Sequence, residues 1–244
     1  MPIPAGTKLG PYEIVAPLGS GNGSEVYKAT HAEENRTVAI RVLPPDTARA
    51  TGFQQTKERF EKQAQAMVTL SHPNIGLLYD IGEQDGVEFV VTEFVEGDTL
   101  ASRLQRGPLR LGEAMRVALD IGDALDKAHC AGVVHRALRP SSVMLTQTGA
   151  KLIDFGLAEL RPSSAATLVP KASSATVGVG AGKQSGINIE YTAPEEFEGK
   201  PAGARSDIFA FGAIVYEMVT GKKPFQGKSR AVLIAAITTE DTIR

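Results

Sequence analysis

The spacing of apolar residues changes period along this chain, and that change restricts the fold more than any other feature. Tyr12 to Leu18, Glu25 to Ala29, Thr37 to Leu43, Gly76 to Ile81 and Val87 to Phe94 are short, β-rich runs. Glu83-Gln84-Asp85-Gly86 joins the last two as a hairpin. Between them, Gln54 to Leu70 places Phe60, Ala64, Met67 and Val68 on one helical face. Ser71-His72-Pro73-Asn74 stops that helix, because proline disfavours helix at the residue before it. After Gly97 the period is three-and-four. Ala114, Met115, Ala118, Ile121, Leu125 and Ala128 predict one buried helix. Ile208, Phe211, Gly212, Val215 and Met218 predict another, with Ser206 as its N-cap and Gly221 as its terminator. A last helix falls at Ser229 to Thr238. Strands first and helices after predict an α+β chain with two unequal lobes.

Composition narrows the function classes. With 26 basic and 28 acidic residues, the chain has no cationic excess for nucleic acid or an anionic membrane surface. Cys130 is the only cysteine, which excludes an intrachain disulfide and fits a reducing compartment. It ends a helical run and reads as filler. No apolar run approaches about 18 residues, the length a span requires, and no leader pattern opens the chain. A cytoplasmic, soluble piece without membrane contact is the expectation. Arg161 to Gly186 is rich in Ala, Ser, Thr, Gly and Val without a period, and reads as a loop. His31, His72 and His129 lack metal-ligand spacing and read as surface or capping residues.

Six short motifs follow one another: Gly19-Ser20-Gly21, Val38-Ala39-Ile40-Arg41, His135-Arg136, Asp154-Phe155-Gly156, Ala193-Pro194-Glu195 and Ser206-Asp207-Ile208. A glycine cluster between strands is by itself also a plain hairpin turn. In this order and spacing the set resembles the protein kinase family, specifically bacterial serine/threonine kinases of eukaryotic type, from about Tyr12 to the end. The resemblance implies a two-lobed α+β fold. Residues 1–11 form an extension, 12–92 a small β-rich N-lobe, 93–97 a hinge and 98–244 a larger helical C-lobe, with a mobile activation-type loop at 157–191. Relatives continue for further helices and supply an Arg to the Glu of Ala-Pro-Glu. The chain stopping at Arg244 therefore implies a truncated C-lobe, or another partner for Glu195, and bared apolar surface that favours self-association.

The resemblance also assigns the chemistry. Val134 to Leu145 matches the catalytic loop H-R-D-L-x-x-x-N. Ala137 stands where the family carries its proton-accepting Asp, and Ser142 where it carries the magnesium-binding Asn. Arg41 replaces the phosphate Lys, and Gln63 the helix Glu that pairs with it. Ser24 falls at the third loop glycine, with Gly23 one place early, and Asn188 at a Thr that braces the Asp. Asp154 is the one carboxylate implied for magnesium. Gly19 and Gly21 cover the phosphates; Leu18, Val26, Ala39 and Leu145 sandwich the adenine; Thr92 guards the back of the pocket, and Glu93 and Val95 form the hinge. The adenine residues read equally as ordinary core. Met67, Leu78, His135 and Phe155 match the stack that joins the lobes. Ser163, Ser164, Thr167, Ser173, Ser174 and Thr176 are candidate phosphate acceptors, with Arg136 as the receiver. Since a methyl accepts no proton, the expectation is a pseudokinase rather than an enzyme. It would act as a scaffold or allosteric partner toward another protein, a kinase included, or a copy of itself. Binding of ATP or ADP would be weak, and magnesium would have little to hold it. The alternatives are a nucleotide-binding switch without turnover and a residual serine/threonine kinase.

Overall fold

The computed structural model describes residues 3–21, 24–43, 66–68, 70–155 and 189–239. Residues 66–68 are helical, and the rest of the helix expected over Gln54 to Leu70 lies outside the described residues apart from Leu70. The loop expected at 157–191 is described only from residue 189.

The N-lobe is an antiparallel sheet of six strands: β1 (Lys8–Leu9), β2 (Tyr12–Gly21), β3 (Ser24–His31), β4 (Thr37–Val42), β5 (Leu78–Gln84) and β6 (Val87–Glu93). Their order is β1-β2-β3-β4-β6-β5. Alternation sorts the side chains. Tyr12, Ile14, Tyr27, Ala29, Val38, Ile40, Phe89 and Val91 form one buried layer. The residues between them, Val26, Ala39, Arg41 and Thr92, take the opposite face of the pleat. Register brings that second set together, because Gly19 lies opposite Val26, Val26 opposite Arg41 and Ala39 opposite Thr92. The β5–β6 hairpin turns on Asp85 and Gly86, with φ of 53° and 76°, the paired left-handed conformation that two-residue hairpins favour. Residues 3–9 join the sheet: β1 pairs with β2, and the Ile3 N–H donates to the Tyr27 hydroxyl at 2.7 Å.

A smaller sheet, β7 (Asp98–Thr99), β8 (Val143–Thr146) and β9 (Gly149–Leu152), lies below the cleft. The helices are α1 (Leu100–Leu104), α2 (Leu111–Cys130), α3 (Pro194–Phe197), α4 (Ala204–Thr220) and α5 (Arg230–Thr238). One apolar core runs through both lobes, from Leu43, Met67, Leu78 and Val90 to Ile121, Leu138, Phe155, Ile214 and Met218. The stack of Met67, Leu78, His135 and Phe155 is buried throughout.

The expected faces hold in part: Ala114, Ile121, Leu125 and Ala128 of α2 and Met218 of α4 are buried, and Ala118, Phe211 and Val215 pack against the core. In α2 the buried row is Ala114, Val117, Ile121, Ala124, Leu125 and Ala128, while Met115 is 57% exposed. One residue is about 100° of helix, enough to carry Met115 off a stripe centred on Ile121. In α4 Ile208 is 58% exposed and Asp207, Ala210, Ile214 and Met218 are buried. The N-cap of α4 is Gly203, not Ser206. Ser206 lies three residues inside the helix, accepting the Gly203 N–H at 3.0 Å and donating to Glu195 at 2.6 Å. Gly221 ends α4 at φ 68° as expected, and Ser229 caps α5 by accepting the Val232 N–H. Cys130 closes α2 but is exposed rather than packed as filler. Among the described residues no helix is long and apolar enough to cross a membrane.

The lobes are stitched beside the hinge. Gly76 N–H donates to the Leu152 carbonyl at 2.7 Å, Leu152 N–H to the Asn74 carbonyl at 2.8 Å, and the Asn74 side-chain amide to the Ala150 carbonyl at 2.7 Å. Lys151 on β9 donates to both carboxylate oxygens of Glu93, at 2.7 and 2.9 Å. Gly97, at φ 144°, passes so close to β8 that an added Cβ would sit 2.1 Å from the Leu145 carbonyl oxygen. Gly107 is also left-handed, at φ 108°, but faces open space. Gly97→Ala is therefore expected to lower stability well beyond the roughly 1 kcal/mol of backbone strain that Gly107→Ala introduces. Urea midpoints of the two variants check this, and equal midpoints would refute the close-approach argument.

Candidate active site in the interlobe cleft

The loop from Val133 to Ser142 leaves α2 and enters β8, and one carboxylate holds its shape. Asp207, 1% exposed on the first turn of α4, accepts the His135 N–H, the Arg136 N–H and the His129 ring Nε2, each at 2.8 Å. These bonds fix Arg136 at φ 64°, a conformation non-glycine residues seldom adopt. His129 is thus an inward partner of a buried acid rather than a surface residue, whereas His31 and His72 accept nearby backbone N–H groups in turns, as expected. Burial holds the fully enclosed His135 imidazole below its ordinary pKa, against the pull of Asp207 and Asp154. It is neutral, and since a carbonyl only accepts, its Nε2 carries the proton donated to Ile153 O at 3.0 Å. Its ring packs on Phe155 with centroids 4.6 Å apart.

Above that loop, the fold brings together charges distant in sequence. Arg41 of β4 and Asp154, just past β9, form an ion pair at 2.5 Å, with side chains 16% and 20% exposed. Asp154 sits at φ 69°, which a short polar side chain tolerates better than most. Burial pulls the Arg139 guanidinium below its ordinary pKa, an effect that the Asp154 carboxylate opposes and Arg41 reinforces. Nε of Arg41 and Nε of Arg139 are both buried without a hydrogen-bond partner. The Nε of Arg36, in the turn before β4, is in the same state, so the feature is not confined to the cleft. Guanidinium forks do match phosphate oxygens.

Magnesium fits poorly. Asp154 is engaged by Arg41. Ser142 is 1% exposed, and its hydroxyl accepts the Arg139 N–H at 3.0 Å while donating to the Arg139 carbonyl at 2.8 Å. That hydroxyl closes the loop and is not presented as a ligand. Among the described residues, no three His, Cys, Asp or Glu side chains converge to hold a metal. Ala137 lies half-buried in the same loop, with no polar side-chain atom.

Val26, Ala39, Thr92 and Leu145 are half-buried and Leu18 is 47% exposed. The Thr92 hydroxyl reaches the Ala39 carbonyl at 3.5 Å. Glu93 and Val95 are half-buried in the hinge, and the Glu93 carboxylate is taken up by Lys151 and the Leu77 N–H. Gly19 and Gly21 lie on β2. Gln63, Gly23, Gly156 and Asn188 fall outside the described residues, as do the six candidate phosphate acceptors. Among the described residues Glu195 accepts the Ser206 hydroxyl, at 2.6 Å. Sequence reasoning missed Arg139, Lys151 and the bracing role of Asp207. Of these, only Arg139 left a usable signal, a cation beside a proline inside the catalytic loop.

Comparison with known proteins places the site in context. The protein kinase domain family matches residues 12–243. The probable serine/threonine-protein kinase PknB of Corynebacterium glutamicum is 38% identical over 224 residues, covering 89% of this chain and 32% of that protein. The serine/threonine-protein kinase PrkC of Bacillus subtilis is 35% identical over 228 residues, 93% of this chain and 33% of that protein. The chain spans about a third of the length of these relatives. The crystal structure of the Mycobacterium tuberculosis PknI kinase domain, in a single-site mutant form, superposes with a TM-score of 0.72 at 25% identity, covering 93% of this chain and 80% of that one. These relatives correct the expectation of a non-enzyme: proteins this similar over nine-tenths of the chain are named as kinases. A lost proton acceptor slows phosphoryl transfer without abolishing it, because the reaction asks more of positioning and charge than of any one side chain. With the family matched almost end to end and the cleft built as its fold requires, the chain belongs to the protein kinase domain family.

Proposed function

We propose that this chain is a serine/threonine protein kinase domain that works slowly, transferring the terminal phosphoryl group of ATP to a protein hydroxyl. The observation that carries this reading is the Arg41–Asp154 pair at 2.5 Å, set over a catalytic loop whose backbone Asp207 holds in place. ATP, when bound, supplies the phosphoryl group. The half-buried surface of Val26, Ala39, Thr92 and Leu145 would take its adenine, and the guanidiniums of Arg41 and Arg139 its phosphates. Asp154 keeps Arg41 aimed into the cleft, and the His135–Phe155 stack fixes the floor beneath it.

The methyl of Ala137 removes the usual proton acceptor, which is worth about 10²–10⁴-fold in rate. It does not remove the reaction. The transition state is loose, with little bond formation to the incoming hydroxyl, so aligned reactants and stabilised phosphate charge supply most of the acceleration. Kinases as a family use ATP with magnesium. Here the protein's own share of the positive charge comes from two arginines.

Radiolabel transfer from ATP to a generic protein acceptor tests the reading. Wild-type protein is expected to label slowly, and Asp154→Ala to lose the signal because Arg41 loses its alignment. Labelling that persists in Asp154→Ala would mean a contaminant. Ala137→Asp restores an acceptor in an otherwise intact loop, and the rate is expected to rise by about 10²-fold or more. If neither wild type nor Ala137→Asp labels any acceptor, the kinase reading is wrong.

A further inference from the structure

We propose that the outward face of α2 is a two-fold interface, on which two copies of this chain pair with their α2 helices antiparallel about a point between Leu119 and Asp120. Leu111, Met115 and Leu119 are 66%, 57% and 70% exposed. Single exposed apolar side chains are ordinary. These three stand four residues apart, so they form one stripe along the side of α2 that faces away from its buried row. A continuous apolar stripe on a surface helix marks a place of contact.

The occupant is a second copy because the face complements itself. Arg116 and Asp123 are both exposed and lie seven residues, or about two turns, apart. They flank the stripe on one side and are equally far from the point between Leu119 and Asp120. A two-fold rotation there sets each Arg116 against Asp123 of the other copy, so the ion pair forms twice. Arg116 is steadied on this face by its Nε, which donates to the Gly112 carbonyl at 3.2 Å. On the other side of the stripe the same rotation lays Met115 over Gly122 of the other copy. An added Cβ on Gly122 would meet nothing within 4 Å, so the glycine leaves room for a flexible thioether. The two Leu119 side chains meet at the axis. A wholly acidic or wholly basic partner helix would satisfy one of the two flanking charges and oppose the other, whereas a copy of this chain satisfies both. The pairing is independent of the chemistry in the cleft.

Sedimentation equilibrium of the purified chain reads the assembly. The mass is expected to converge on twice the 25.8 kDa of one chain as concentration rises. Leu119→Glu is expected to weaken pairing by about thirtyfold or more, the loss of a central interface side chain. Arg116→Glu and Asp123→Arg each set like charges against one another twice, and each is expected to weaken pairing by about tenfold or more. Combined in one chain, the two changes are expected to return it to within about threefold of wild type. Oxidative cross-linking fixes the geometry. In a Cys130→Ser background, Leu119→Cys is expected to form a disulfide between copies, because its thiols flank the axis. Wild-type Cys130, although exposed, is expected not to, since its two copies lie about 30 Å apart along the paired helices. Thermal melts show that each variant is folded. A chain that stays monomeric at every concentration, or whose mass grows past two copies without a plateau, would overturn the proposal. So would Leu119→Glu pairing like wild type, a charge swap that restores nothing, or cross-linking through Cys130 instead of Leu119→Cys.

Discussion

A single buried carboxylate, Asp207, sets the geometry on which the cleft depends. It receives two consecutive backbone N–H groups and an imidazole nitrogen at 2.8 Å, at 1% exposure. Hydrogen bonds to a charged group are worth about 1.5–3 kcal/mol each, and stranding such a group without partners costs more. That is enough to keep Arg136 in a left-handed conformation and to aim the rest of the loop upward. The loop in turn fixes Arg139 and, through the Ser142 hydroxyl, its own closure. The carboxylate comes from a helix far later in the chain, 72 residues beyond His135, so the catalytic loop takes its form only once the large lobe has packed.

Much of this is legible in the residues alone. Alternation over β2 to β6 names the strands, and the shared face of Val26, Ala39, Arg41 and Thr92 follows from their parity and register. Helix positions are readable and helix faces less so. Met115 and Ile208 are apolar residues on outer faces, because a two-lobed protein leaves some large side chains uncovered and periodicity cannot say which. Ser206 looks like an N-cap by residue type, yet capping boxes carry their second polar residue three places inside the helix. Arg139 left only the signal of a cation beside a proline, since Asp154 and Arg41, whose charges act on it, are assembled only by the fold.

The expectation of a non-enzyme fails for a different reason. Ala137 is legible, and its loss of a proton acceptor is real. What the residue alone does not disclose is what becomes of the surrounding charge. Ala137 removes one negative charge, whereas Arg41 for lysine and Ser142 for asparagine leave the charge as it was, so the losses fall on proton acceptance and metal holding and not on the cations of the cleft. Late on α4 the buried acid Glu217 is bonded by both Tyr191 and Lys223. Burial and that carboxylate push the Tyr191 phenol far above its ordinary pKa, so it remains a neutral donor.

Lys151 lies on the strand that ends just before Asp154, and its ammonium grips both oxygens of Glu93 where the upper sheet gives way to the hinge. One side-chain contact thus ties the strand leading to Asp154 to the start of the hinge, so the position of the innermost acid and the anchoring of the upper sheet share a single fastening.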